Sequence, residues 1–293
     1  MKRFYLLCLL LPLYSLSQAQ SFSLLVEGLN SVPEFSVPYL IQNEVKALQV
    51  KTQKVLRPGV VVMESTLIRE FTDEGLMSRE IEVRAGADTS RIASFHYNPN
   101  GYLGWKQTTD IRWGKTYRTG YRFNNGKQVF QVRDYEMLAN EQVMLLETRQ
   151  YIYNVDSQLI AIRWKQGSKT IKVQHYAYYD NDFLAEEKFE NGAGIIEKVV
   201  NYEYYDNGAV KKVKHTDAEG KVKSYGYVYD NNGLPSKIEW TEGPDLSGTI
   251  AYEFNNDGLL LAIERSATNS PLIRQEFTYE KFQQSSAVNL AER

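Results

Sequence analysis

One cysteine and three histidines are all that 293 residues contain. The single thiol, Cys8, sits in an apolar stretch near the start, so no disulfide framework can hold the fold. His96, His175 and His215 are spread over separate segments, and without cysteines or a convergent carboxylate they give no zinc signature. A Gly-x-Ser-x-Gly elbow, a His-Glu-x-x-His pair and a phosphate-binding glycine loop are all missing. Charge of one sign is missing too. Lys plus Arg number 34 against Asp plus Glu 36, which offers no bulk field for nucleic acid. Acid pairs such as Glu186 and Glu187 occur, but with 36 acids any chain would offer them, and acid–base work needs a cleft to set their separation. These absences predict a protein that is not an enzyme and carries no cofactor. The Asx-rich turns lack the ordered oxygen series of a calcium loop.

The one long apolar run, Phe4 to Leu16, follows Lys2 and Arg3 and precedes the small residues Ser17 and Ala19. It is short for a span of roughly 20 residues and reads as a cleaved export signal, residues 1–19. The expected location is therefore periplasm, cell surface or medium, with no membrane span after cleavage. Residues 20–60 read as an irregular lead-in, punctuated by Pro33 and Pro38, followed by a capping strand or short amphipathic helix in "NEVKALQVKTQKV". Residues 285–293 read as a frayed, disordered tail.

What the chain has in quantity is tyrosine, 21 in all, together with 19 glycines. They recur in register: "FHYNPNGYL", "YRFNNGKQV", "YEYYDNGAV", "YVYDNNGLP" and "YEFNNDGLL" each set an aromatic before an Asx/Gly turn and an apolar residue after it. The aromatic anchors are Phe71, Tyr97, Phe123, Tyr153, Tyr179, Tyr205, Tyr229, Phe254 and Tyr279, spaced 24 to 30 residues apart, as in repeat architectures. Alternation such as Tyr225, Tyr227 and Tyr229 places side chains on one face of a strand. Asn and Gly then turn the chain because both tolerate left-handed backbone. Leu76, Leu103, Leu159, Leu184, Val210, Leu234 and Leu259 lead the returning strand as cross-strand partners of the anchor. Each repeat is thus a hairpin, and residues 61–284 form an array of them.

The run from Tyr227 to Leu234, with a shorter version from Tyr204 to Val210, resembles the YD repeat of the Rhs and teneurin families, Tyr-Asp-x-x-Gly-x-Leu. It departs from that pattern at Thr72, Asn98, Asn124, Asn154 and Asn255 in place of Asp, at Phe183 in place of Gly, and at Leu234 directly after Gly233. MORN-type repeats share a similar aromatic-Asx-Gly core. The resemblance implies a curling sheet of stacked hairpins, in some relatives used for adhesion to carbohydrate or protein. It does not imply catalysis.

The expected fold is all-β: a long antiparallel meander of roughly sixteen to eighteen strands that curls into a trough or spiral, since long open sheets do not stay flat. An outer-membrane barrel is disfavoured because Glu186 and Lys188 fall on one face of a strand and Glu187 on the other. Trp105, Trp164 and Trp240 each follow a turn and are candidate stacking platforms for sugar rings. Lys212 and Lys214 belong to the densest basic cluster, a candidate contact for an anionic partner. The function expected is an exported, non-enzymatic binding or structural platform of the bacterial envelope or surface, with carbohydrate or an envelope protein as partner. Such a platform would leave an aromatic patch exposed and bury no cluster of ionisable groups. The competing expectation is an exported carbohydrate-active enzyme with carboxylates drawn from separate repeats.

Overall fold

The computed structural model describes residues 45–57, 60–86, 89–139, 142–256 and 258–281; the expected signal segment, most of the lead-in and the expected tail lie outside these. Within them the chain is all-β. Its strands are β1 (Val45–Arg57), β2 (Val60–Phe71), β3 (Met77–Arg84), β4 (Thr89–Tyr97), β5 (Leu103–Asp110), β6 (Lys115–Phe123), β7 (Val129–Met137), β8 (Val143–Tyr153), β9 (Leu159–Gln166), β10 (Lys169–Tyr178), β11 (Leu184–Asn191), β12 (Ile196–Tyr204), β13 (Val210–Asp217), β14 (Val222–Tyr229), β15 (Pro235–Glu242), β16 (Leu246–Phe254), β17 (Leu260–Ala267) and β18 (Ser270–Lys281).

Every strand pairs antiparallel with the next, and β1 pairs with both β2 and β18. The sheet therefore closes into an 18-stranded barrel and is neither a trough nor a spiral. The reason lies in β1. This segment is thirteen residues long and its two edges are both filled, with Leu48 facing Arg69 on one side and Tyr279 on the other. Strand twist carries the meander round, and closure removes the two open edges that a curled sheet would expose.

Eight hairpins, from β2/β3 to β16/β17, share one turn. A positive-φ residue sits at the same place in each: Gly75, Gly101, Gly208, Gly233 and Gly258, with Lys127, Ser157 and Asp182 taking φ of 65°, 67° and 65° in the others. The side-chain oxygens of Asn98, Asn124, Asn154, Asp230 and Asn255 accept the backbone N–H four residues on, closing the loop. A register shift then precedes each closing aromatic, so the second residue of the returning strand is extra, a β-bulge repeated round one rim.

This geometry corrects the repeat alignment in two copies. The strand-ending anchors are Tyr178 and Tyr204, while Tyr179 and Tyr205 stand in the Asx position. There Asn181 and Asn207, two residues later, take over the capping of Phe183 and Ala209. Asp182, not Phe183, holds the left-handed position, so Phe183 does not replace a glycine. Likewise Met77, Pro235 and Leu260, not Leu76, Leu234 and Leu259, lead their strands.

The anchors have a second duty. In six of them the hydroxyl donates to the carbonyl of the first residue of the preceding odd-numbered strand: Tyr97 to Met77, Tyr153 to Val129, Tyr178 to Leu159, Tyr204 to Leu184, Tyr229 to Val210 and Tyr279 to Leu260, all at 2.7–2.9 Å. Each repeat is thus tied to the one before it. Phe71, Phe123 and Phe254 have no hydroxyl to give.

Side chains alternate between two faces that stay distinct round the whole circuit. One face carries Leu48, Val213 and Ile263 at 0–1% exposure, which in a single-layered wall is possible only inside. It carries an apolar cluster along β11–β15, formed by Phe189, Val200, Tyr202, Val213, Tyr227 and Ile238. A second cluster joins β17 and β18 to β1 and β2 around Leu48, Val50, Ile263 and Phe277. The outer face carries charge on many strands, including Lys51 opposite Glu276, Glu264 opposite Ala251, and Glu239 opposite Gly226. Glu186 and Lys188 face out and Glu187 in, as the alternation requires.

Candidate functional site

Eighteen strands are enough to leave a channel, and the inner wall decides how much of it stays open. Apolar clusters line much of the wall from β11 to β1, charged pairs such as Arg69 with Glu80 enter at β2 and β3, and a polar sector runs from β6 to β10. There Asp134 on β7 stands directly opposite Glu147 on β8. Arg149 Nη2 donates to Asp134 Oδ2 at 2.8 Å and its Nε lies 3.9 Å from Glu147 Oε1. Thr119 on β6 donates to Asp134 Oδ1 at 2.6 Å. The side chains of Arg149 and Asp134 keep 29% and 27% exposure, so water reaches this part of the interior.

Trp164 on β9 completes the constellation. It is the register partner of Arg149 on one side and Lys172 on the other, and Lys172 Nζ lies 4.9 Å from its ring centroid. The local electrostatics follow from crowding. Burial raises the Glu147 carboxyl, Arg149 draws it back and Asp134 pushes it up again. Burial likewise lifts the Tyr151 phenol, against the pull of Arg149. An aromatic ring bordered by an acid pair, a guanidinium and an ammonium offers stacking and hydrogen bonding to a polyhydroxylated ligand.

Trp240, also inward, lies on β15 between Tyr225 and Gly248, with Lys223 Nζ 4.8 Å from its ring centroid. Its seat depends on Gly248, where an added Cβ would meet Trp240 ring carbons at 2.6 Å and the Ser266 carbonyl oxygen at 2.1 Å. Trp105 points the other way. On the outer face of β5 it stacks on His96, with the guanidinium of Arg118 4.7 Å from its ring centroid. Lys212 and Lys214 are outward on β13, opposite Gly226 and Ser224. The structure therefore brings Trp164 together with a polar cluster and leaves the other four residues apart from it.

A buried carboxylate departs from the expectation that no ionisable cluster would be enclosed. Glu187 is 1% exposed and accepts from the Tyr202 hydroxyl and Gln174 Nε2, both at 2.5 Å. Burial, reinforced by Glu187, drives the Tyr202 phenol far above its usual range. Two shallow clefts lie between successive turns on the bulged rim, one of about 460 Å³ bordered by Phe183, Tyr204 and Lys211, the other of about 520 Å³ bordered by Asp230, Tyr252 and Phe254. Among the described residues no three His, Cys, Asp or Glu side chains group as a metal site.

Asp134, Glu147, Arg149 and Lys172 went unremarked in the sequence. Their signal was the alternation in "VFQVRDYEM" and "VMLLETRQYIY", which puts Asp134 in phase with Val132, and Glu147 with Arg149 and Tyr151. Which phase faces inward is settled only by closure.

No protein-family model and no curated protein matches the chain. Solved structures with some likeness include a porin-like protein from Bacteroides uniformis, 11% identical, covering 80% of this chain and 98% of that one, with a TM-score of 0.44. A porin-like protein from Bacteroides vulgatus is 16% identical over 81% and 99% of the two chains, at 0.30. TcdB2-TccC3 without its hypervariable C-terminal region is 12% identical over 73% of this chain and 15% of that one, at 0.26. Likeness of this size carries no functional argument.

Proposed function

We propose that this is an exported, non-enzymatic barrel of the bacterial envelope or surface whose lumen binds carbohydrate. The observation that carries this reading is Trp164, set beside Asp134, Glu147, Arg149 and Lys172 in the water-accessible sector of the interior. Export rests on the basic, apolar and small-residue order of residues 1–19. Outward charges such as Lys51, Glu276, Glu239 and Glu264 interrupt the uncharged belt that lipid demands, which supports a barrel that stands in water and does not span a bilayer. The test is a glycan array read by tryptophan fluorescence. Saturable binding lost in Trp164→Ala, with Trp240→Ala retaining it, supports a luminal site at β8–β10. Binding untouched by Trp164→Ala would refute the placement.

A second reading, a carbohydrate-active enzyme, is favoured by one feature: Asp134 and Glu147 come from separate repeats and face each other, with burial shifting Glu147 upward. Hydrolysis of a bound glycan, abolished by Glu147→Gln with binding retained, would convert the first reading into the second.

A further inference from the structure

From β3 to β10 the outer wall contains no acidic side chain among the described residues. The outward positions there hold Arg79, Arg118, Arg122, Arg133, Arg163 and Lys165, and every Asp and Glu of these strands with a register partner faces the lumen. None of the six cations forms an ion pair among the described residues. The acid-free zone ends at β11, where Glu186 and Glu190 face out. On the rim opposite the bulged one, two neighbouring hairpins of this sector project apolar residues into solvent. Trp113 is 66% exposed and Val143 53%, with Ile111, Leu138 and Leu145 beside them. The hairpins are adjacent because Thr116 pairs with Met137. The Arg112 guanidinium lies 4.9 Å from the Trp113 ring centroid.

We infer that this rim sector docks the barrel on an anionic lipid surface, with Ile111, Trp113, Leu138, Val143 and Leu145 entering the interface and Arg118 and Arg133 meeting lipid phosphates. Distance supports the pairing. Outward positions recur about every 7 Å along a strand, so Arg118 lies one such step above Thr116 and Arg133 two above Met137. Apolar tips enter the interface by about 5–10 Å, which brings those guanidiniums to headgroup level. A free polyanionic chain would need the basic wall but not the projecting apolar tips. A second copy docked by the same patch would set unpaired arginines against each other.

The test is co-sedimentation of the full chain with vesicles of phosphatidylcholine alone or with one-third phosphatidylglycerol. The N-terminal segment is common to wild type and variants, so differences report on the rim. Anionic vesicles should bind more tightly, and the preference should fade with salt. Val143→Ser with Leu145→Ser should weaken binding to them about tenfold or more. Arg118→Gln and Arg133→Gln should each cost about fivefold on anionic vesicles and nothing on neutral ones. Brominated lipid should quench the fluorescence of wild type more than that of Trp113→Phe. Equal binding to both vesicles, or binding indifferent to all these substitutions, would overturn the inference. So would capture of dextran sulfate by the arginines without vesicle binding, or a dimer in solution that Val143→Ser dissolves.

Discussion

Replacing Tyr204 by Phe removes one atom from the ladder that ties each repeat to its predecessor. The hydroxyl donates to the Leu184 carbonyl at 2.9 Å, and burial holds the phenol well above its usual range, so the bond is sheltered from water. A neutral bond of this kind contributes about 1 kcal/mol net, within a range of about 0.5–1.5. For a barrel of this size that corresponds to roughly 2–4 °C in Tm. Tyr153→Phe, Tyr178→Phe and Tyr229→Phe should cost the same within error, because their geometry is the same. The reverse substitution is the sharper test. Phe123→Tyr and Phe254→Tyr would aim new hydroxyls at the carbonyls of Leu103 and Pro235, the first residues of β5 and β15, and should stabilise by about 0.5–1 kcal/mol. Urea midpoints at constant m-value give the answer. Tyr→Phe changes below about 0.3 kcal/mol, or destabilisation by both Phe→Tyr changes, would mean that the rim carbonyls are as well served by water and the ladder argument is wrong.

Alkaline pH should unfold the barrel for a related reason. Burial raises the phenols of Tyr153, Tyr178, Tyr229 and Tyr252 to about 12, so the unfolded chain loses these protons first. Stability is then whole below pH 10 and falls progressively as pH rises through about 12; absorbance of the phenolate against circular dichroism should show ionisation and unfolding together, and free titration near pH 10 in the folded state would contradict it. Glu187→Ala strands the Tyr202 hydroxyl and Gln174 amide in the interior and should cost about 2–4 kcal/mol in denaturant titrations, with Glu187→Gln costing less because an acceptor remains. Gly248→Ala places a methyl against the Ser266 carbonyl and the Trp240 ring, so a variant that folds as well as wild type, with an unshifted tryptophan emission maximum, would refute that seat.

Much of this architecture was legible in the primary structure. The aromatic-Asx-Gly phase located eight hairpins, and the alternation of Glu186, Glu187 and Lys188 sorted faces correctly. Local rules did that work, since turn chemistry and two-residue periodicity act over a few residues. Closure was not legible, because it depends on β1 meeting β18, and nothing within "NEVKALQVKTQKV" marks which distant strand will lie beside it. The double-aromatic copies, Tyr178-Tyr179 and Tyr204-Tyr205, misled the alignment by one residue because either ring satisfies the pattern and only the hydrogen bonds of the turn choose between them. The candidate site was half visible: tryptophans stand out by type, whereas Asp134, Glu147 and Arg149 acquire meaning only once their face is known to be the inner one.

The seam between β1 and β18 also governs when the molecule can be finished. Val45 must find Lys281, so the strand made first waits for the strand made last, while each intermediate length presents two raw edges to whatever surrounds it. A nascent chain of this design cannot complete itself piecemeal, and a truncation that removed β17 and β18 would leave β1 paired with β2 alone, its other edge open. Until the final strand arrives, the unpaired N–H and C=O groups of both edges are the chain's most exposed liability to pairing with another strand.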